Sequence, residues 1–262
     1  MESVIVTGAG GGMGHEICRE LTSRGYRVYG IDLGNFEAPC YKKFTCDITD
    51  NSAVSATVEQ IGNDANKIFA VVHTAGIYKL NSLVEMKENE FKRIFDVNLG
   101  GVYRINREVI KYMDRGSRIV ITSSELAPLD PLPFTGIYGI TKSTLEKYAF
   151  SLRMELNLLG ITVSVIRPGA VSTSLLGDST RELDQFTENT KLYKYNAKRF
   201  KRIVDSVESR SVHPQKVAKK VTRALVSHHP RLVYPINRNP LLILLSALPD
   251  RLQIWIIGRI LK

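Results

Sequence analysis

A glycine-rich turn between an apolar run and a helical pattern constrains the fold of this chain more than any other stretch. Residues 3–7 read Ser-Val-Ile-Val-Thr, and residues 8–14 follow directly as Gly-Ala-Gly-Gly-Gly-Met-Gly. Ile17 and Leu21 then recur at helical spacing, so the stretch predicts a strand, a tight turn and a helix. Glycine lets the backbone approach a pyrophosphate, and a helix start presents unpaired N–H groups to it, so we expect a dinucleotide site; a flexible loop is the alternative. The expected contacts are Gly8, Gly10, Gly11, Gly12, Met13 and Gly14.

The next predicted strand ends in an acid that bears on which dinucleotide is bound. Residues 26–32 read Tyr-Arg-Val-Tyr-Gly-Ile-Asp, which places Asp32 at the carboxyl end of the strand, about twenty residues after the glycines. A carboxylate there accepts both ribose hydroxyls of NAD and repels the 2′-phosphate of NADP. No Arg or Lys occupies the glycine turn or follows Asp32 directly, so NAD is preferred; an ordinary turn-forming Asp is the alternative.

A third short strand is predicted at residues 44–48, followed by a helix that starts near residue 51. Asp47 and Ile48 close this strand and are expected to line the cofactor site. Asp47 can hydrogen-bond an adenine amino group, or it can cap the helix, for which Thr49 and Asp50 are equally suitable. The sequence leaves these two roles of Asp47 open.

Residues 67–76 are almost entirely apolar, as expected for a central strand of a parallel sheet covered on both faces. The run ends in Ala75 and Gly76, which leave room for a cofactor, and we interpret His73 as structural. Strands alternate with helices through about residue 170. This alternation predicts a Rossmann-type, doubly wound parallel sheet in three α/β/α layers, with ligands at the carboxyl ends of its strands.

A proton-transfer set is predicted at Tyr138 and Lys142. Positions i and i+4 share one helix face, so the phenol and the amine of Tyr138-Gly-Ile-Thr-Lys142 project together, and Ser123 and Ser124 end the strand-like run before this helix. Asn98, in a predicted helix, starts an Asn-Leu-Gly-Gly stretch that favours a local break where its main chain can hold a water; a solvent-facing Asn is the alternative. The Tyr-x-x-x-Lys spacing alone is common in chains of this length, so the other motifs of the chain must show whether it marks a proton-transfer set or a coincidence.

Together these motifs resemble the tyrosine-dependent short-chain dehydrogenase/reductase family, in the branch with the Thr-Gly-x-x-x-Gly-x-Gly spacing. The resemblance covers about residues 2–175 in the motif order of the family. It implies an oxidoreductase in which Tyr138 is the general acid or base, Lys142 favours tyrosinate and binds the nicotinamide ribose, and Ser124 holds the substrate oxygen. It also implies that Asn98 holds a water linked to Lys142. The cofactor carboxamide is expected at Pro168, Gly169, Val171 and Thr173.

Two departures from the family pattern matter. His73 and Thr74 stand where the family usually has two asparagines before Ala-Gly. Ser124 lies fourteen residues before Tyr138, where the family tends to have thirteen, so the proline-rich loop between them is one residue longer. Aligning the strand without a gap favours Ser124 as the catalytic serine, with Ser123 as the alternative.

Composition narrows the function classes. The chain has 262 residues, a net charge of +10 and three cysteines without metal-ligand spacing, so neither a disulfide framework nor a metal site is expected. A net charge of +10 permits nucleic-acid binding, but the basic run at residues 191–202 lacks a recognition element for nucleic acid, so no nucleic-acid partner is expected. The first residues do not resemble a signal peptide, so a cytoplasmic location is expected. Homo-oligomers, dimers or tetramers, are common among proteins of this kind.

The carboxyl-terminal part is expected to determine the substrate. One catalytic domain is predicted over residues 1–238, with a helical lid at about 174–211 in which Tyr193, Tyr195 and Phe200 line a pocket or serve packing alone. Residues 239–262 predict two short apolar helices that close the substrate mouth, form a subunit interface or contact a membrane surface.

We therefore expect an NAD(H)-dependent oxidoreductase that interconverts a secondary alcohol and a ketone, or an alcohol and an aldehyde. The tail is similar to those of steroid- and retinoid-type members of the family, which favours a bulky apolar substrate. A catalytically idle NAD-sensing or scaffold protein of the same fold is the alternative.

Overall fold

The computed structural model describes residues 1–208 and 210–262; Ser209, inside the predicted lid, lies outside the described residues. Seven parallel strands form one sheet in the order β3-β2-β1-β4-β5-β6-β7, with helices on both faces, which confirms the predicted doubly wound fold. The chain reverses its direction of winding between β1 and β4. Ligands of such sheets bind at this switch point, beyond the carboxyl ends of the strands.

The strands are β1 Ser3–Thr7, β2 Arg27–Asp32, β3 Lys42–Thr45, β4 Ala70–His73, β5 Arg118–Thr122, β6 Thr162–Pro168 and β7 Val233–Ile236. The helices are α1 Gly12–Ser23, α2 Asn51–Ala65, α3 Glu88–Phe95, α4 Gly101–Val109, α5 Gly136–Asn157, α6 Ser174–Asn189, α7 Lys194–Glu208, α8 Gln215–Val226, α9 Pro240–Ser246 and α10 Asp250–Leu261. A π-helical turn, Asp96–Gly100, joins α3 to α4, and a 3-10 turn, Ile110–Tyr112, follows α4.

The central strands bury side chains on both faces, as their apolar sequence predicts. Ile5 and Val71 point to the side covered by α2, α4 and α5, whereas Val4 and Val72 point to the side covered by α1 and α8. The sequence did not predict β7, which is short and contains Pro235. Proline is tolerated there because β7 is an edge strand.

A smaller apolar cluster joins α6 and α7 to the loops that precede α3 and α5. Leu80, Phe134 and Phe200 belong to it, together with Leu261 from the last turn of α10. Phe134 lies in the proline-rich loop before α5, has a φ of 65°, and places its ring 5.3 Å from the rings of Tyr193 and Phe200. The loop that precedes Tyr138 therefore packs directly on α7.

Candidate active site

The glycine turn brings the ends of β1 and β4 close together. Gly8 has a φ of +70°, and a Cβ on it would lie 2.6 Å from the backbone nitrogen of Ala75. A Cβ on Gly14 would lie 2.0 Å from the carbonyl oxygen of Gly8. Glycine is required at both positions, because any side chain would collide with backbone. The turn can thus place the start of α1 directly at the sheet edge.

The start of α1 provides a site for an anion. The helix begins at Gly12, its N-cap Gly11 has no side chain that could pair the first N–H groups, and no acid lies in the first turn. Unpaired N–H groups and the positive end of the helix dipole favour a phosphate there. A cleft of about 930 Å³ lies over this turn, which fits a dinucleotide. Its walls include the predicted contacts Gly8, Gly10, Gly11, Gly12, Met13, Gly14, Asp32, Asp47, Ile48, Ala75, Gly76 and Thr173.

Asp32 faces this cleft and organises the glycine turn. Its Oδ2 accepts a hydrogen bond from the Gly10 N–H at 2.8 Å, and its Oδ1 accepts one from the Leu33 N–H at 2.7 Å. The cleft also includes two cations of α3, Lys92 and Arg93, which the sequence reasoning missed. Both are more than fifty residues from Asp32 along the chain, so only the fold places them beside the same cleft.

Asp47 is not the cap of α2. The cap is Asp50, whose carboxylate accepts hydrogen bonds from the N–H groups of Ser52 and Ala53 at 2.8 and 3.1 Å. Asp47 accepts instead from the Thr49 N–H and hydroxyl at 2.8 and 2.7 Å and lines the cleft. The pKa of Asp47 is lowered, chiefly by the Thr49 N–H. Of the two predicted roles, the capping one is wrong because α2 begins after Asp50.

Asn98 lies in the π-helical turn, which is the local break that its sequence predicts. Its side chain is buried, and Oδ1 accepts a hydrogen bond from the Ile77 N–H at 2.8 Å. Its Nδ2 donates to the Ile77 carbonyl at 3.0 Å and to Thr141 Oγ1 at 3.2 Å. Asn98 therefore joins the loop after β4 to α5, one residue away from Lys142.

Tyr138 and Lys142 project from the first turns of α5, side by side. Lys142 Nζ donates a hydrogen bond to the Thr122 carbonyl at 3.1 Å and lies 5.6 Å from the centre of the Tyr138 ring. Burial lowers the pKa of Lys142 to about 8, against an opposing effect of Glu146. Burial also raises the pKa of Tyr138 to about 12, partly offset by a hydrogen bond with Ser124. A phenol and a nearby ammonium group are thus held in one enclosed site.

The structure distinguishes the two serines. Ser124 lines the same pocket as Tyr138, and its hydroxyl lowers the pKa of that phenol; its Oγ accepts a hydrogen bond from the Leu126 N–H at 3.2 Å. The Ser123 hydroxyl is buried and, among the described residues, has no hydrogen-bond partner. This difference favours Ser124 over Ser123 as the neighbour of the phenol, and its catalytic role stays a prediction.

A family model and the sequences of known proteins show which family this chain belongs to. Residues 2–184 match the family model described as short chain dehydrogenase. The chain belongs to the short-chain dehydrogenase family. It is 24% identical over 229 residues to 3-ketodihydrosphingosine reductase of Bacteroides thetaiotaomicron, covering 87% of this chain and 84% of that protein. It is 30% identical over 189 residues to the 3-oxoacyl-[acyl-carrier-protein] reductase FabG of Escherichia coli, covering 68% and 75%.

Solved structures support the fold of this short-chain dehydrogenase. Aldohexose dehydrogenase of Thermoplasma acidophilum gives a TM-score of 0.73 at 23% identity, covering 89% of this chain and 92% of that one. A variant of actinorhodin polyketide ketoreductase, solved with NADPH, gives 0.74 at 24% identity, covering 90% and 96%. The two relatives named above are reductases of keto groups, and the family binds nicotinamide cofactors.

The short-chain dehydrogenase has a second pocket, of about 180 Å³, over Tyr138 and Lys142. Phe200, Ile203 and Val204 of α7 and Leu242 of α9 line it. Of the three predicted aromatic residues only Phe200 reaches it; Tyr193 packs on Phe134, and Tyr195 is 77% exposed. Its walls also include Ser123, Ser124, Pro168, Gly169, Val171 and Thr173.

Two further residues of this pocket were missed from the sequence. The Tyr78 ring lies 4.5 Å from the Tyr138 ring at 71°, and its place two residues after the Ala-Gly pair is a signal that could have found it. Glu125 directly follows the serine pair, and its Oε2 accepts a hydrogen bond from the Asn239 N–H at 2.6 Å. Burial raises the pKa of Glu125. This carboxyl group joins the serine loop to the start of α9.

His73 has a structural role. The side chain is buried, and its Nε2 lies 2.8 Å from Asn106 Oδ1. Burial lowers its pKa to about 4, so the imidazole is neutral near pH 7. The neighbouring Thr74 hydroxyl donates to the Thr7 carbonyl at 2.7 Å. His73 and Thr74 thus fix β4 and its end within the fold.

The described residues contain no group of three or more His, Cys, Asp or Glu that could hold a metal ion. Cys18, Cys40 and Cys46 are free thiols. None of the helices in the described part of the chain combines the length and apolar character that a bilayer crossing requires.

Proposed function

We propose that this short-chain dehydrogenase interconverts a secondary alcohol and a ketone, or an alcohol and an aldehyde, with NAD(H) as the cofactor. The observation that carries the proposal is the assembly of Ser124, Tyr138 and Lys142 in one pocket that adjoins the glycine cleft. Met13, Thr74, Gly76 and Thr173 line both spaces, so a ligand can extend from one into the other.

The reaction needs one proton moved at the substrate oxygen. The nicotinamide group, when bound, accepts or supplies the hydride. Tyr138 Oη gives the proton in reduction and takes it in oxidation, while the Ser124 hydroxyl holds the oxygen beside it. With a pKa of about 12 the phenol is protonated near pH 7 and serves directly as an acid. Oxidation requires the phenolate, which the Lys142 ammonium group stabilises electrostatically.

The proton that Tyr138 takes from the substrate in oxidation also has to reach solvent, and Lys142 beside the phenol is the group that can pass it on. We propose that the backbone at Asn98 holds a water for this purpose, because the π-helical turn interrupts the regular helical hydrogen bonding there. The buried Asn98 side chain is already bonded to Ile77 and Thr141, so it fixes the turn and leaves the main chain for the water.

The preference for NAD over NADP rests on Asp32. Its carboxylate lies at the end of β2 and is tied to the glycine turn, where it would face the adenosine ribose. Lys92 and Arg93 could offset its charge, but Lys92 is paired with Glu88, and the charge of Arg93 also acts on Asp47, whose pKa it helps to lower. We therefore infer that a 2′-phosphate is disfavoured.

An apolar substrate is proposed because leucine, isoleucine, valine and phenylalanine side chains line the space beyond Tyr138. A volume of about 180 Å³ is below the range of about 300–1,000 Å³ of drug-sized ligand sites. A steroid- or retinoid-sized molecule therefore requires α7 and α9 to move apart. Leu242 and the bond from Asn239 to Glu125 support a role of residues 239–262 in closing this pocket.

The same extension supports two further proposals. Leu244, Ile254 and Trp255 are 64%, 73% and 62% exposed, so α9 and α10 offer an apolar surface for a subunit interface in a dimer or tetramer, or for peripheral membrane contact. Residues 1–238 then form the catalytic domain, and 239–262 its helical extension.

The proposal is tested with a panel of secondary alcohols, retinol and steroids, measured as NADH formation by absorbance. NAD-dependent turnover of at least one apolar alcohol, exceeding NADP-dependent turnover, is expected. Absence of turnover for every member, with NADH bound tightly, would instead favour a sensing or scaffold protein.

A further inference from the structure

A basic pocket of about 640 Å³ lies on the outer side of α7, next to the proposed substrate pocket. We call it the arginine pocket. Arg199 and Arg202 of α7 and Arg210 after the helix converge on it, and Leu241 and Ile260 complete its walls from α9 and α10. The remaining lining residues are Ile203, Ser206 and Asn239.

The positive charge of this pocket is not neutralised by the described part of the protein. Lys201, on the same helix, contacts Asp184 at 2.9 Å and Asp205 at 3.5 Å. By contrast, Arg199, Arg202 and Arg210 form no ion pair within the described residues, and no carboxylate lines their pocket. Three unpaired guanidinium groups around one concave site repel each other, and an anion bound between them would relieve that repulsion.

The arginine pocket adjoins the space over Tyr138. Ile203 lines both pockets, and the adjacent residues Leu241 and Leu242 line one each. Positions 199, 202, 203 and 206 share one face of α7, since they are spaced three and four residues apart. A ligand that reaches from Tyr138 past Ile203 would therefore pass from an apolar space into the basic one.

We propose that the arginine pocket binds a phosphate-type anionic group at the end of the substrate remote from the reacting carbon. The substrate class is then an apolar alcohol or ketone that carries a phosphate ester. Arginine favours phosphate because the planar guanidinium group donates two parallel hydrogen bonds to its oxygens. The inference rests on the proposed function, which names only the apolar part of the substrate.

The test measures binding without turnover, using octyl phosphate and 1-octanol as probes and calorimetry as the readout. The triple variant R199Q/R202Q/R210Q is compared with K216Q/K219Q/R223Q, which removes three exposed cations of α8 that do not line the arginine pocket. The wild-type protein and the α8 variant should bind octyl phosphate at least tenfold more tightly than 1-octanol. The arginine variant should bind octyl phosphate at least tenfold more weakly than the wild-type protein does.

A second arm identifies the source of the phosphate. Flotation with phosphatidylcholine vesicles, with and without phosphatidic acid, shows whether a lipid headgroup is bound. If the arginine variant loses octyl phosphate binding and no variant binds the vesicles, the result supports a soluble substrate. If only binding to phosphatidic acid vesicles depends on the arginines, the result supports a lipid headgroup at the same site. If the arginine variant and the α8 variant bind octyl phosphate equally well, and also bind the vesicles equally well, the proposal is overturned.

Folding and the proposed function are checked separately. Single variants R199Q and R202Q replace the triple variant if its thermal unfolding temperature falls, and each should weaken octyl phosphate binding at least threefold. NADH binding is measured by fluorescence for every variant and should not change. If the alcohol panel gives no turnover while octyl phosphate binding depends on the arginines, the oxidoreductase proposal fails and the anion site stands.

Discussion

Acidification should destabilise this protein through His73, and the size of the effect follows from its burial. The imidazole has a pKa of about 4 in the folded protein, against 6.5 for an ordinary histidine. As the pH falls below 6.5 the unfolded chain binds a proton that the folded protein does not, so the free energy of unfolding falls until the pH reaches about 4. The linkage relation gives a loss of about 2 kcal/mol at pH 5 and about 3 kcal/mol at pH 4.

Urea denaturation of wild type and His73→Gln at pH 7.5 and pH 5 isolates this contribution from that of other groups. Glutamine has no titrating proton, so wild type should lose about 2 kcal/mol more than the variant between these pH values. His15→Gln is the matched control, because the His15 side chain is 41% exposed; it should lose as much as wild type. Equal losses for wild type and His73→Gln, within about 0.5 kcal/mol, would refute a neutral buried imidazole.

Three further predictions concern the cofactor, the proton and the substrate. Asp32→Ala should raise the affinity for NADPH relative to NADH at least tenfold by fluorescence titration, because a charge that repels the 2′-phosphate is removed; an unchanged ratio would remove Asp32 from the ribose site. Oxidation kcat/KM should rise about tenfold per pH unit between pH 6 and 8, since the phenolate is needed and the pKa of Tyr138 is raised to about 12, whereas reduction should vary little; parallel profiles would contradict this assignment. Leu242→Ala should raise KM for an apolar alcohol about tenfold with NADH affinity unchanged, while Leu244→Ala, at a 64% exposed position, should not; equal KM values for both variants would place the substrate elsewhere.

Local patterns predicted most of the sheet and the placement of Tyr138 and Lys142 on one helix. Gly8, Asp32 and Tyr138 owe their positions to a turn, a strand end and a helix start, and each has a signal within a few neighbouring residues. The break at Asn98 was predictable in the same way, because asparagine followed by two glycines disfavours a regular helix.

Contacts between distant parts of the chain could not be predicted in this way. Glu125 would ordinarily be exposed, but its partner Asn239 is 114 residues away, so burial of this acid depends on where α9 packs. Tyr195 and Phe200 look equivalent in sequence, and only the rotation of α7 against Phe134 decides which faces the pocket. The capping role of Asp50 over Asp47 depends on the residue at which α2 begins, the least certain feature of a helix prediction.

We expect Tyr138 to transfer the proton in a nicotinamide-dependent reaction. Tyr138→Phe removes only the hydroxyl, and Tyr195→Phe makes the same change on the 77% exposed Tyr195. For an alcohol found active with NAD, the Tyr138 variant should lose about 10²–10⁴-fold in kcat, with NADH affinity within about threefold of wild type, and the Tyr195 variant should lose neither. Turnover within tenfold of wild type in a folded, NADH-binding Tyr138→Phe protein would contradict the assignment.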